Sequence, residues 1–232
     1  MRAILLAAGM GTRLRPLTLE TPKPLIKING ETIIERQIKA LNEIGIEDII
    51  IVTGYLNEKF RFLKEKYGVR IIYNDKYDKY NNIYTMYLVR DYLKNSYVIE
   101  GDIYLNKNFL KKDLKQSSYF SARKYGYNNE WILRVNDDNK VVKIETGSED
   151  GKYIMCGVSY WSEKDANFII EKLEKYISDN SFDDLFWDDI IKENISSMDI
   201  NLEKIDSDDV YEIDSLEDLK KLEKSLEHKK GI

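Results

Sequence analysis

Apolar positions along this chain alternate between strand-like runs and helix-like stripes. Ala3 to Ala8 is a short unbroken apolar run closed by glycine, the pattern of a strand buried on both faces. From Thr32 the period lengthens. Ile34, Ile38 and Leu41 recur at helical spacing, Ile33 and Ile44 widen the stripe, and Gly45 stands where a C-cap belongs. Asp48–Thr53 is a second apolar strand, ended by Gly54. Asn57 is placed to cap a helix running to Tyr67 and stopped by Gly68, and Val69–Tyr73 is a third strand. This β-α-β-α-β order predicts parallel strands with helical crossovers, a doubly wound, Rossmann-like α/β sheet. Ligands of such sheets sit beyond the carboxyl ends of the strands.

A polar loop, Asn74–Asn82, then leads into a helix through Ile83, Met86, Tyr87 and Val89. Ser96–Gly101 is a further strand with Asp102 at its end. Past Tyr119 the pattern changes to short strand-like runs: Tyr119–Arg123, Trp131–Val135, Val141–Thr146 and Ile154–Tyr160, with Asn136–Asn139 as a hairpin turn. These predict an antiparallel extension over the ligand side of a mostly parallel sheet. Ser162, paired with Asp165, caps a helix carrying Ala166, Ile169, Ile170, Leu173 and Ile177. Asp183–Asn194 reads as a helix, Met198–Ile205 as a strand, and Ser215 as the cap of a last helix from Leu216 to about Leu226.

The chemistry concentrates in the loop after the first strand. Gly9 and Gly11 let the backbone turn sharply and come close to a ligand, and such a turn exposes amide N–H groups to phosphate. Arg13 and Lys23 add two full positive charges. The expected ligand is a nucleoside triphosphate. The dinucleotide fingerprint is excluded because position 14 is Leu14, not glycine, and no P-loop string occurs. Composition narrows the chemistry further. The chain has 232 residues, a net charge of −5, one cysteine (Cys156) and one histidine (His228, in a charged tail). The acidic balance with interspersed signs argues against a nucleic-acid partner. A disulfide, a Ser-His-Asp triad and a His- or Cys-based zinc site are all excluded. A metal would have to be held by carboxylates, which favours Mg²⁺. The first apolar run is too short and too soon followed by arginine for a signal peptide, and no stretch can cross a membrane, so a cytoplasmic protein is expected. No linker or repeat interrupts residues 1–232, read here as a single domain.

Asp102 at a strand end faces the ligand edge, with an ordinary turn aspartate as the plain alternative. Glu212 and Asp214, two apart in Tyr211–Asp214, point to one side of an extended segment. Three converging carboxylates repel unless a divalent cation sits among them; otherwise Glu212 pairs with a lysine and Asp214 caps the last helix. Asn81 and Asn82 offer amides matching the donor and acceptor edge of cytosine, with a helix N-cap as the alternative. Trp131 and Trp187 lie beside carboxylates, and aromatic faces suit a quaternary ammonium. Trp161 reads as core.

The string LLAAGMGTRLRPLT with TPKPL resembles the signature of nucleotidyltransferases that load sugar and alcohol phosphates onto nucleotides. Further strings, among them GYLNEKF, YNDKYDKYNN, SYVIEGD, NEW, GVSYW, DLFWDD and YEIDS, extend the likeness from end to end toward the bacterial CTP:phosphocholine cytidylyltransferases. That resemblance implies CMP transfer from CTP to phosphocholine, with nucleotide contacts from Leu6, Ala7, Ala8, Gly9, Gly11, Thr12, Arg13, Lys23, Asn81 and Asn82. It implies catalytic roles for Arg13, Lys23 and Asp102, and Mg²⁺ on Asp102, Glu212 and Asp214. It further implies acceptor contacts from Glu130, Trp131, Trp187, Asp188 and Asp189. Residues 1–117 would then form the nucleotide half and 118–232 the acceptor half. A cytidylyltransferase for another amino-alcohol phosphate or phosphonate, such as 2-aminoethylphosphonate, a sugar-1-phosphate nucleotidyltransferase and a non-catalytic nucleotide-binding regulator remain open.

Overall fold

A computed structural model describes residues 1–230, with side chains to Glu227; the His228 side chain lies outside the described part. Strand β1 (Arg2–Ala7) leads through the glycine loop to a small hairpin, β2 (Lys27–Ile28) and β3 (Glu31–Thr32). Helix α1 (Ile33–Glu43), strand β4 (Ile49–Thr53), helix α2 (Arg61–Tyr67), strand β5 (Arg70–Tyr73) and helix α3 (Asn82–Val89) follow, then β6 (Ser96–Glu100) and β7 (Ile103–Leu105). The second half supplies β8 (Ser118–Lys124), β9 (Glu130–Val135), β10 (Val141–Gly147) and β11 (Lys152–Trp161). After these come α4 (Glu163–Ser178), α5 (Trp187–Asn194), β12 (Asn201–Lys204), β13 (Val210–Glu212) and α6 (Leu216–Lys230).

Nine of these strands form one sheet. Its central path runs β10-β9-β11-β6-β1-β4-β5, with β8 paired to β11 and β12 paired to β8. The β6, β1, β4 and β5 pairings are parallel, as the crossover pattern predicts. From β11 outward the pairing turns antiparallel, apart from β12 beside β8. The chain leaves β1 toward β4 and β5 and returns on its other side as β6. The order therefore reverses at the β1/β6 pair, and the loops after both strands open onto a shared crevice. The core lies on both faces of this sheet. One layer packs Leu5, Ile34, Ile38, Leu41 and Phe60; the other packs Ile4, Ile50, Met86, Trp161, Ile169 and Ile190.

Several boundaries differ from the sequence expectation for local reasons. Asn57 caps nothing: Leu56 adopts the left-handed region (φ 49°), residues Asn57–Phe60 form a tight 3-10 turn, and α2 starts only at Arg61. The helix expected from Asp183 starts at Trp187, because the Asp189 carboxylate accepts the Phe186 N–H at 2.9 Å and so fixes the first turn there. Strand β12 is shorter than expected. Strand β7, unforeseen, pairs antiparallel with β13 and carries the C-terminal acids back beside β6. Ser162 and Ser215 cap their helices as expected, the latter in a box with Asp218.

Helix α1 begins with a similar box: the Thr32 hydroxyl accepts the Glu35 N–H at 3.2 Å and donates to Glu35 Oε2 at 2.8 Å. Lys66 and Tyr67 of α2 also donate to Glu35, at 2.7 and 3.0 Å. Burial pushes the Glu35 carboxyl upward, but these hydrogen bonds outweigh it and bring it down from 4.5 to about 2. A depressed carboxyl stabilises the fold fully above its unfolded value and loses that contribution as pH falls through the folded one. Urea unfolding between pH 5 and pH 2 is therefore expected to lose stability steadily in wild type, with a shallower slope in Glu35→Gln.

Candidate active site

The crevice at the β1/β6 reversal is a cavity of about 720 Å³. Its near wall is the glycine loop. Gly11 has φ +58°, and a Cβ there would lie 3.1 Å from both Lys23 Cβ and Thr18 Cγ2, so a side chain would be strained and would press on Lys23. The buried Thr18 hydroxyl donates to Gly11 O at 2.8 Å and fixes the loop. A Cβ on Gly9 would meet no protein atom, which leaves that side of the backbone free for a ligand. Leu6, Ala7, Ala8, Thr12, Arg13 and Lys23 line the same wall.

Opposite stand the acids. One ligand oxygen each from Asp102, Glu212 and Asp214 lies within 4.8 Å of the others. Glu212 ends β13, and the buried Ile213 that follows donates its N–H to Asp102 O at 3.2 Å, locking the two acidic segments edge to edge. The Lys23 ammonium sits between Asp102 Oδ2 and Asp214 Oδ1, 2.6 Å from each, and Arg13 Nη2 reaches Asp214 Oδ1 at 2.8 Å. Burial alone would depress the Lys23 ammonium; the charges and hydrogen bonds of the two aspartates outweigh it and raise it. Glu212 is pushed up to about 8, by burial first and then by Asp102 and Asp214. Asp102 Oδ1 is buried without a partner. An oxygen-only set with an orphaned carboxylate oxygen fits a hard divalent cation.

Next to the acid trio, the same cavity has an aromatic and acidic recess lined by Tyr80, Glu100, Tyr119, Glu130, Trp131, Trp187 and Asp188. Glu100 was not foreseen. It stands two residues before Asp102, so strand alternation was the signal available for it. Burial, then Asp102 and Asp188, hold its carboxyl well above the usual range. Tyr119, on β8, gave no local signal; its hydroxyl donates to Asp188 at 2.7 Å. Asp188 is pushed up to about 7 by burial, against the pull of that hydrogen bond.

Other expected residues are more occupied than their sequence suggested. Asn81 Nδ2 donates to Asp184 O at 2.9 Å, and Asn82 Oδ1 accepts the Trp187 N–H at 3.0 Å, so both amides tie the α5 loop to the cavity wall. Asn81 holds the N-cap position of α3 without a side-chain cap. Trp187 is 2% exposed and stands T-shaped to Trp161, 5.5 Å between centroids, so little of its ring is open to the cavity. Trp131 already has Lys192 Nζ 4.9 Å from its centroid. Asp189 is a correction: it is absent from the cavity lining, because its carboxylate closes the first turn of α5 and faces Lys192.

This arrangement defines an α/β nucleotide-binding protein with a glycine loop and two cations facing a carboxylate trio. A family model described as nucleotidyl transferase matches residues 2–224, and the chain belongs to that family. It is 49% identical over 228 residues to the choline-phosphate cytidylyltransferase of Streptococcus pneumoniae, covering 98% of this chain and 99% of that one. It is 35% identical to the 2-aminoethylphosphonate cytidylyltransferase of Lancefieldella rimae, over 94% and 89% of the two chains. The solved structure of the CTP:phosphocholine cytidylyltransferase from Streptococcus pneumoniae superposes with a TM-score of 0.95, at 48% identity over 97% of this chain and 98% of that one.

Removing the ammonium from between the aspartates exposes their repulsion. Lys23→Ala is expected to lose about 1.5–3 kcal/mol of stability in EDTA and to gain more from added Mg²⁺ than wild type does. Thermal unfolding with and without the metal checks both; equal metal gains in the two proteins would contradict the shared site.

Proposed function

We propose that this chain transfers CMP from CTP to phosphocholine, releasing pyrophosphate and forming CDP-choline. The observation that carries the reading is the full-length 49% identity to a choline-phosphate cytidylyltransferase, in a chain whose cavity keeps the glycine loop, both cations and all three acids. The phosphate oxygen of phosphocholine attacks the α-phosphorus of CTP, the bond to the bridging oxygen breaks, and that oxygen leaves with pyrophosphate. No covalent enzyme intermediate is required, and the one cysteine is buried. Catalysis then rests on positioning and charge.

Arg13 and the amides around Gly9 and Gly11 hold the β- and γ-phosphates. Lys23, released from the aspartates when phosphate enters, neutralises charge between nucleophile and α-phosphate. Asn81, whose Nδ2 is engaged, presents its carbonyl oxygen to the cytosine amine. Asp102, Glu212 and Asp214 would hold Mg²⁺, which supplies charge neutralisation at the α-phosphate. Residues 1–117 thus serve the nucleotide, and most of the acceptor recess comes from 118–232.

The recess supports phosphocholine over a sugar phosphate. Glu100 and Asp188 are buried acids without a cation of their own within hydrogen-bond reach among the described residues. Buried anions need a counter-charge, and a trimethylammonium can supply it while packing on Trp131 and Tyr80. A primary ammonium on a phosphonate, the acceptor class in the name of the Lancefieldella relative, shares the charge but not the apolar surface. Expression in the cytoplasm follows from the availability of CTP there.

Pyrophosphate release from CTP, UTP, dTTP and ATP, each with phosphocholine, phosphoethanolamine, 2-aminoethylphosphonate or glucose-1-phosphate, tests the assignment. CTP with phosphocholine is expected to exceed every other pair at least tenfold in kcat/KM, and a sugar-phosphate preference would overturn it. Asp188→Asn is expected to raise the phosphocholine KM about tenfold, the loss of one charge-assisted contact, and to leave the CTP KM within about twofold. Asp188 must be ionised to attract the ammonium. Wild-type kcat/KM for phosphocholine should therefore rise as pH passes upward through about 7, and the rise should vanish in the variant.

A further inference from the structure

The turn that presents Asp102 is held from behind by an amide with no place in the chemistry above. Gln37 lies on α1, on the sheet face opposite the α3 and α5 helices, and is fully buried. Its one amide nitrogen makes both contacts: Nε2 donates to Glu100 O and to Ile103 O, at 2.8 Å each. Those two carbonyls flank the Gly101–Asp102 pair. The amide orientation is chemically forced, because the flipped form would set Oε1 against two carbonyl oxygens. Oε1 is itself buried without a partner. An unpaired buried oxygen is unfavourable, so the site keeps an amide for the sake of its two N–H donors.

Lys23 holds the Asp102 carboxylate from the front, and the remaining contacts of the turn's backbone are made by backbone groups. Gly101 N donates to Leu6 O at 2.8 Å, and Ile213 N donates to Asp102 O at 3.2 Å. A Cβ on Gly101 would lie 2.7 Å from Leu6 O and 2.8 Å from Pro24 Cγ, so the turn is pressed against the strand that feeds the glycine loop. Among the described residues, Gln37 supplies the side-chain hydrogen bonds to the backbone of this turn. It fixes both ends of a four-residue turn whose third member is Asp102.

We infer that Gln37 is a positioning residue for the divalent-cation site: it aims Asp102 at Glu212 and Asp214 by clamping the carbonyls on either side. This rests on the metal reading of the three acids. Without the clamp, the turn loses two hydrogen bonds and Asp102 is free to relax away from the other two carboxylates. Groups that orient metal ligands are typically worth about 10–100-fold in affinity.

The test is binding of the Mn²⁺·CTP complex to the full chain without phosphocholine, followed by water-proton relaxation, beside thermal unfolding in EDTA. Gln37→Met keeps length and removes both donors; Gln37→Asn keeps the donor but is one methylene short, so it reaches one carbonyl at most. Gln37→Met is expected to weaken Mn²⁺·CTP binding about 10–100-fold, Gln37→Asn less, and neither to change binding of metal-free CTP more than about twofold. A folded Gln37→Met protein that binds Mn²⁺·CTP as wild type does overturns the role. So does loss of the fold in both variants, which would assign Gln37 to stability alone. Asp102→Asn is the control: if it binds Mn²⁺·CTP as tightly as wild type, the metal reading itself fails, and the role of Gln37 with it.

Discussion

The Lys23 ammonium, 2.6 Å from Asp102 and 2.6 Å from Asp214, is the contact on which the site depends. Its partners lie 79 and 191 residues away in sequence, so it joins the opening loop, the middle of the chain and the C-terminal segment at one point. Two carboxylates within 4.8 Å repel by roughly 3–4 kcal/mol at an effective dielectric of about 20. A third carboxylate adds to that. The fold can gather these acids because a cation stands among them, and the same acids hold Lys23 charged in a buried position. Each side of the pair would be unfavourable without the other.

The sheet order explains how such distant residues meet. Parallel strands β1 and β6 are neighbours although 88 residues of crossover separate Ala7 from Ser96. Their carboxyl ends deliver the glycine loop and the Asp102 turn to the same edge. The β7–β13 pair then brings Glu212 alongside, through hydrogen bonds rather than through the sheet's main path. Gly101 permits the close approach, and Gly11 permits the left-handed turn under Lys23. The acids therefore sit at or just beyond strand ends, while the cation comes from a 3-10 turn, Lys23–Leu25, in the loop that leaves β1.

What could be read from the sequence follows the range of the forces involved. The β1-α1-β4-α2-β5 order was legible because apolar periodicity is local, and so were the serine caps of α4 and α6. The glycine loop with Arg13 and Lys23 was legible because its parts lie within fifteen residues. The acid trio was foreseen from strand alternation, although Glu212 ends its strand and the step to Asp214 follows irregular backbone. Glu100 and Tyr119 were missed. Their meaning comes from burial beside Asp188, and that burial is created by β8, β11 and α5 packing from far along the chain. Trp187 was misweighted for the same reason: nothing local shows that packing against Trp161 buries it. Asp189 looked equivalent to Asp188, yet helical geometry sends one into the cavity and the other back onto its own first turn.

A cavity lined by six acids and only two cations must still accept a polyanionic nucleotide. Separation of the charges resolves this. Arg13 and Lys23 belong to the glycine-loop wall, which on the proposed function would take the phosphates, while Asp188, with Glu100 between it and Asp102, would face the cationic headgroup. Beside them stand the three carboxylates, where Lys23 is the resident cation and whose spacing would also admit a divalent ion. Burial and mutual repulsion push these acids upward: Glu212 to about 8, Asp188 to about 7, and Glu100 well above its ordinary value. On the proposed function, a bound cationic headgroup and a divalent ion would supply the opposite charge that these acids lack.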